Sequence, residues 1–189
     1  MNGSKVAERT GHVPRGLART GPVLFSYGFR PFFLGAALWA IIAMGLWIAA
    51  LAGHADIAGG YGAQAWHVHE MLFGFASAVL AGFLLTAVPN WTGRLPVSGW
   101  PLAGLFALWL AGRAALLSPD AIGLPAAAAI DSLFLPALLF ICAREVIAGR
   151  KWKDLKVLGG LIALSLANIC FHVAVIEGEH YVQVAMRLG

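Results

Sequence analysis

The stretch "HEMLFGFASAVLAGFLLTAV", from His69 to Val88, decides the class of fold. From Met71 onward it contains no charged side chain, and almost all of its residues are apolar. An α-helix of about 20 such residues is long enough to cross the hydrocarbon core of a bilayer. We therefore expect this stretch to be a transmembrane helix.

Apolar runs of similar length occur on both sides of this stretch. They cover about Phe32–Ala52, Trp100–Leu117, Ala121–Ile147 and Val157–Ile176. Only 12% of the 189 residues are charged and the mean hydropathy is +0.79. In a soluble domain about 25% of the residues are charged. The sequence therefore predicts an all-α fold, a polytopic bundle of transmembrane helices, with a kink in the fourth helix at Pro125 or Pro136.

The two ends of the chain differ from these apolar runs. Residues 1–28 are polar and basic, and we expect them to form a flexible N-terminal tail before a helical domain at 29–189. After Glu179, "HYVQVAMRLG" predicts the start of a sixth helix after five full ones, and it stops at Gly189. We expect the helical domain to be truncated there.

Lysine and arginine residues predict the orientation in the membrane. Eleven of the 13 fall on one side of the predicted bundle: Lys5, Arg9, Arg15, Arg19, Arg30, Arg94, Arg144, Arg150, Lys151, Lys153 and Lys156. Cytoplasmic loops of membrane proteins carry this excess of basic residues, so the N-terminus is predicted to be cytoplasmic. Because the basic residues alternate with apolar runs and form no continuous stripe, they do not indicate a nucleic-acid partner.

Other motifs exclude several kinds of site. The two cysteines form neither CxxC nor CxxCH, so no dithiol redox pair and no covalently attached c-type haem is predicted. No nucleophile–base pair and no phosphate-binding loop is recognisable either, and no enzymatic reaction is assigned.

Polar residues of three helices reach the same predicted depth near the outer side. His67 and His69 open the second helix, and His172 lies five residues before Glu177, about 7 Å inside its helix. Arg113 lies at a similar depth in the third helix. Histidine nitrogens and the sulfur of Met71, one turn after His67, suit haem iron or copper better than Mg²⁺ or Ca²⁺. These residues therefore predict a metal or haem site.

Each of these residues also has a structural interpretation. The spacing His67-x-His69 points the two rings to nearly opposite faces, so only one of them can face a central site. Glu70 suits a helix start, and Asn168 and His172 share a face that could simply bind helices together. An intramembrane arginine needs a partner, and for Arg113 this is either Asp131 or an anionic ligand such as a haem propionate.

Four segments resemble the NnrS family. They are "YGFRPFFLGAALWA" (Tyr27–Ala40), "WHVHEMLFGFASAVLAGFLLTAVPNWTGR" (Trp66–Arg94), "LAGRAA" (Leu110–Ala115) and "NICFHV" (Asn168–Val173). The resemblance implies a multi-pass protein of the bacterial inner membrane that carries haem and copper and protects against nitric oxide and nitrosative stress. It also implies a C-terminal half that is missing here.

The resemblance also implies roles for particular residues. The metal ligands would come from His67, His69 and His172, with Arg113 and Asp131 in supporting roles. From the residues themselves we add Met71 as a metal ligand, Arg113 beside the three histidines as a contact of haem or another cofactor, and Asn168 and Glu70 as supporting residues. The resemblance does not tell which histidine holds haem and which holds copper.

Three hypotheses follow. The leading one is a membrane haem and copper protein of the nitric oxide response. The second is half of a transporter or channel, in which Arg113 and Asp131 line a pathway. The third is a fragment that is stable only with its second half. The expected partners are the lipid bilayer, nitric oxide as a ligand, and either a C-terminal half or further copies of the chain.

Overall fold

Residues 22–188, which the computed structural model describes, form an all-α structure, with side-chain surroundings described as far as Gly178. The helices are α1 (Phe29–Leu51), α2 (Ala63–His69), α3 (Ala76–Thr92), α4 (Trp100–Leu117), α5 (Leu124–Ser132), α6 (Phe134–Ala148) and α7 (Leu155–Leu188). A π-helical segment, Glu70–Phe75, joins α2 to α3 without a break. Within this range no β-strand occurs.

These helices make five segments that are long and apolar enough to cross a membrane. The segments are Phe29–Leu51, Ala63–Thr92, Trp100–Leu117, Leu124–Ala148 and Trp152–Gly178. Their outer surfaces are apolar; for example, Ile41 is 72% exposed and Phe140 is 69% exposed. A surface of this kind is stable in lipid and not in water. The predicted all-α membrane bundle is confirmed.

The two ends of the described chain differ in detail from the expectation. Most of the predicted tail, residues 1–21, lies outside the described residues. Its last part forms a 3₁₀ turn at Val23–Ser26, which packs on the bundle through a hydrogen bond from the Gly99 amide to the Phe25 carbonyl, 2.8 Å. Residues 180–188 are helical, as predicted for a sixth helix, but they continue α7, since the sequence from Leu155 to Leu188 contains no proline that would end it.

The fourth segment is interrupted at Leu133, one turn before Pro136. The proline ring cannot donate a hydrogen bond to the carbonyl of Ser132, and the helix is interrupted there, between α5 and α6. Pro125 lies in the first turn of α5, where a proline needs no donor and causes no kink. The break lies immediately after Asp131 and therefore affects the polar centre of the bundle.

Aromatic residues fill the middle of the bundle. The Phe32 ring lies 5.5 Å from that of Phe106, 6.5 Å from that of Trp109 and 5.7 Å from that of Phe134. These contacts join α1, α4 and α6. Since lipid is as apolar as the protein interior, such packing contacts and buried polar contacts hold the helices together.

The basic end of the bundle is held by a partly buried ion triad. The Arg94 side chain, after α3, binds Glu145 of α6 at 2.5 Å, and Arg144 binds the other oxygen of the same carboxylate at 2.7 Å. Glu145 is only 3% exposed, so these two cations compensate its burial. The triad fixes the loop after α3 to the end of α6.

Close packing of α4 on α5 leads to the first prediction. A Cβ at Gly112 would lie 2.7 Å from an Asp131 oxygen and 3.1 Å from the Asp131 Cα, whereas a Cβ at Gly104 of the same helix meets nothing within 4 Å. We expect Gly112→Ala to lower the free energy of unfolding by about 1–3 kcal/mol through overpacking. Gly104→Ala should raise it by up to about 1 kcal/mol through helix propensity.

Thermal unfolding of both variants in detergent, followed by circular dichroism, measures the difference. Equal stability of the two variants would contradict the close approach of α4 and α5 at Gly112.

Candidate metal centre

Three side chains from different helices converge on one point. The Nε2 atom of His69 lies 3.2 Å from the Oδ2 atom of Asp131, and the Nε2 atom of His172 lies 3.0 Å from the same oxygen. All three donor atoms lie within 4.8 Å of one another. The residues are buried, at 0%, 3% and 2% exposure. The group is an intramembrane cluster of two imidazoles and one carboxylate.

The π-helical segment positions His69 and its neighbour. Glu70–Phe75 begins directly after His69, at the point where the second membrane segment enters the bundle. His69 and Glu70 are both fully buried, and Phe73 and Gly74 one turn later are buried as well. The wider turn allows two successive polar residues to face inward, and π-helical turns are frequent at functional sites.

Asp131 is the common acceptor of the cluster. Its Oδ1 atom contacts the Nη2 atom of Arg113, and its Oδ2 atom accepts a hydrogen bond from Asn168 Nδ2 at 3.0 Å. The Asn168 carbonyl oxygen in turn accepts from the Nε2–H of His69 at 2.8 Å. One carboxylate therefore connects α2, α4 and α7 to α5.

Glu70 extends the network to α1. The indole N–H of Trp39 donates to Glu70 Oε2 at 2.7 Å, and the Nε atom of Arg113 lies 3.0 Å from the same oxygen. A Cβ at Gly74 would overlap both the Glu70 carboxylate and the Arg113 guanidinium, so only glycine fits there. The Gly74 carbonyl accepts a hydrogen bond from the indole of Trp109 at 3.0 Å.

Tyr61 comes from the loop between α1 and α2. Its hydroxyl lies 3.0 Å from the Nδ1 atom of His172. Burial, with the nearby carboxylates of Asp131 and Glu70, raises the pKa of Tyr61, so the phenol stays protonated. It therefore donates its proton to Nδ1, which leaves the Nε2–H of His172 to donate to Asp131.

The second nitrogen of each histidine also has a partner. His172 Nδ1 contacts Tyr61, and His69 Nδ1 lies 3.4 Å from Glu70 Oε1. Metal-bound histidines almost always have such a partner at the nitrogen that does not bind the metal. The environment of both rings is thus the one that a metal site requires.

The donor spacing also fits a metal ion. Ligand atoms bound to one ion at about 2.1 Å lie roughly 3.0–3.4 Å apart. The two nitrogen–oxygen distances to Asp131, 3.2 and 3.0 Å, fall in this range. With neutral histidines, Glu70, Asp131 and Arg113 give the cluster a formal charge of −1, so a cation would compensate it.

Two of the predicted ligands lie elsewhere. His67 is half-buried and stacks on Trp47 of α1, with ring centroids 4.7 Å apart. Its Nδ1 atom is buried and has no hydrogen-bond partner among the described residues. Met71 is half-buried against the hydrophobic core. Their role as ligands stays a prediction. As the spacing indicates, only one histidine of the pair His67 and His69 faces the cluster.

The structure brings together all six of the other predicted residues and adds further ones. His69, His172, Arg113, Asp131, Asn168 and Glu70 form one network. Of the two partners considered for Arg113, Asp131 is the one in contact. Tyr61 and Trp39 were not predicted. The glycines at 59 and 62, both with positive φ, are the sequence signal of a specifically shaped loop around Tyr61.

Comparison with known proteins identifies a family. The family model described as NnrS protein matches residues 23–189. Searches of curated proteins and of solved structures give no match.

The shared role of Asp131 leads to the second prediction. Asp131→Asn removes one of the two carboxylates that pair with Arg113 and an oxygen that accepts from Asn168 and His172, so we expect it to lower the free energy of unfolding by about 3–5 kcal/mol. Asp56→Asn, in an exposed loop, is the matched control and should change stability little. Chemical denaturation in detergent measures both. An Asp131→Asn variant as stable as the control would show that the ion pair is not structurally important.

Proposed function

The chain belongs to the NnrS family, and from this membership we propose that it is a membrane protein of the nitric oxide response that binds a transition-metal ion. The ligands would be His69, Asp131 and His172. The observation that carries the proposal is the convergence of both Nε2 atoms on one carboxylate oxygen, at 3.2 and 3.0 Å.

Copper is the ion that we propose. Imidazole nitrogen suits copper, iron and zinc, and Cu²⁺ binds a given nitrogen and oxygen site most tightly among the divalent ions of this series. Copper is also the ion that the resemblance to the family implies. Two histidines and a carboxylate are equally the ligands of non-haem Fe(II) sites, so iron is the alternative that metal analysis must separate from copper.

The residues around the cluster would determine where the histidine protons lie when the ion binds. A metal-bound Nε2 carries no proton, so the His172 proton must move to Nδ1, where Tyr61 can accept it as a hydrogen bond. The Glu70 carboxylate holds a proton on Nδ1 of His69 in the same way. Tyr61 and Glu70 thus orient the two imidazoles, and the packed helices exclude water from them.

The chemistry at such a site would be the binding of a small molecule. A bound ion with an open coordination position supplies a binding place for a diatomic ligand such as nitric oxide. Apolar helices around the cluster allow an uncharged gas to reach it through the lipid. No catalytic step is assigned, because binding alone is supported by these residues.

Haem does not fit between His69 and His172. Two histidines that ligate one haem from opposite sides hold their ring centroids roughly 6 Å apart. The two centroids are 4.6 Å apart, and both Nε2 atoms face the same carboxylate. Arg113 is likewise engaged by Glu70 and Asp131 and not directed at a propionate. Haem bound elsewhere, with His67 as ligand, stays a prediction.

The transport hypothesis gains no support from these contacts. Arg113 and Asp131 are 2% and 3% exposed and bind each other. Residues that line an open pathway would instead face a water-filled cavity. The hypothesis stays a prediction, and the metal analysis below separates it from the metal-binding function.

Metal content gives the third prediction. We expect the protein purified in detergent to contain copper, and His69→Gln and His172→Gln to reduce the copper content at least about tenfold. Glutamine retains an amide that can donate to Asp131, so the fold should persist. His54→Gln, in an exposed loop, is the matched control and should retain the metal. Elemental analysis of each variant provides the measurement.

An unchanged metal content in both histidine variants would overturn the proposed site. Iron in place of copper would correct the identity of the ion and leave the proposed ligands unchanged. Absorption spectra of the same samples test haem. A Soret band that is lost in His67→Gln would place haem at His67, and the absence of any Soret band would exclude haem from this chain.

Orientation gives the fourth prediction. We propose that the N-terminus is cytoplasmic in a bacterial inner membrane and that the metal site lies toward the periplasm, because the basic residues lie at the other end of the bundle. In intact spheroplasts, a membrane-impermeant maleimide should label Asp56→Cys but not Lys151→Cys, both in a Cys170→Ala background. The reverse labelling pattern would show that the orientation in the membrane is opposite to the proposed one.

A further inference from the structure

A basic cleft lies at the end of the bundle opposite to the metal cluster. It has a volume of about 640 Å³ and lies between the end of α3 and the connection from α6 to α7. Its lining residues are Trp91, Arg150, Lys151, Trp152, Lys153 and Asp154. Three cations face one anion, so the cleft has a formal charge of +2. A ligand that complements this charge is an anion.

An apolar groove of about 420 Å³ adjoins this cleft along the surface of α1 and α3. Three phenylalanines, Phe29, Phe33 and Phe83, contribute most of its aromatic lining. Trp91 lines both the groove and the basic cleft, and its ring lies 6.2 Å from that of Phe83. Trp91 is therefore a shared wall of the two spaces, with the apolar groove on one side of it and the cationic cleft on the other.

The backbone brings the basic residues into the cleft in an unusual way. Arg150 has a φ of +52°, a left-handed conformation that glycine usually adopts. Its amide donates to the Ile147 carbonyl at 3.1 Å, and the amide of Lys151 donates to the Val146 carbonyl at 3.1 Å. This turn ends α6 and directs the chain across the cleft, with a cationic side chain at a position where glycine would be the ordinary choice.

We propose that the cleft and groove bind one anionic phospholipid. The phosphate would lie among Arg150, Lys151 and Lys153, and one acyl chain would lie in the groove along Phe83. Basic pockets at the cytoplasmic side of transmembrane helices bind acidic headgroups in this way, and tryptophan favours the boundary between headgroup and acyl chain. The proposal requires only the membrane location of the helices and is independent of the metal site.

The other basic residues at this end of the bundle either pair with a carboxylate or lie outside the cleft. Arg94 and Arg144 both bind the Glu145 carboxylate. Lys156 is exposed and is not part of the cleft lining. Lys156 therefore provides a matched control, because it has the same charge in the same segment without contact to the cleft.

Lipid titration of the full chain tests the proposal. Native mass spectrometry in detergent would compare phosphatidylglycerol with phosphatidylcholine of the same acyl chains. We expect the anionic lipid to bind about tenfold more tightly or better. The combined variant Arg150→Asn, Lys151→Gln, Lys153→Gln should lose this preference, and Lys156→Gln should keep it. Asparagine at 150 tolerates the left-handed backbone, so the turn should remain intact.

Two further experiments test the apolar groove and the basic cleft separately. Phe83→Ala, at a half-exposed position, should weaken both lipids to a similar extent and leave the preference for the anionic one. Glycerol 3-phosphate, which has the anionic group without acyl chains, should not compete. Equal binding of the two lipids by the unmodified protein, or an unchanged preference in the combined variant, would overturn the proposal. Full competition by glycerol 3-phosphate would do the same and identify a site for soluble anions.

Discussion

The carboxylate of Asp131 is the contact on which the arrangement of the bundle depends. Buried in α5, it receives Arg113 from α4, His69 from α2, and both Asn168 and His172 from α7. Arg113 also binds Glu70, which accepts a hydrogen bond from Trp39 of α1. All five membrane segments thus meet in one polar network. A buried charge of this kind is tolerated only when its partners are all in place, so the network favours a single packing of the helices.

The network is important for helix packing because the bundle lies in lipid. In water, the burial of apolar surface would drive the helices together, but the apolar outer faces of this bundle gain nothing by leaving a bilayer. Aromatic contacts around Phe32 fill space at the centre, while the networks around Asp131 and Glu145 specify which helices approach each other. The two networks lie at opposite ends, and each ties a connecting segment, through Tyr61 or through Arg94, to the helices.

The fold could be predicted from the sequence, and the site only in part. Apolar length and charge are local properties, so the five membrane segments followed from composition, whereas the predicted start of a sixth helix is a continuation of α7. The common depth of His69, His172 and Arg113 followed from helical rise. The contact of Tyr61 with His172 joins residues 111 positions apart and depends on a glycine-rich loop whose path no periodicity describes. The π-helical segment also turns His69 and Glu70 inward together, which regular helical spacing does not predict.

The same carboxylate serves the fold and the candidate site, and this sharing constrains both. With Arg113 on Oδ1, the Oδ2 atom of Asp131 is the one that faces the histidines. An ion at this point would replace the Nε2 protons that now connect His172 to Asp131 and His69 to Asn168, so it would not leave the helices without a connection. Loss of Asp131 removes a ligand and one of the two carboxylates that pair with Arg113, whereas glutamine in place of a histidine removes the ligand and retains a donor to Asp131. The histidines are therefore the positions at which metal binding and folding can be separated.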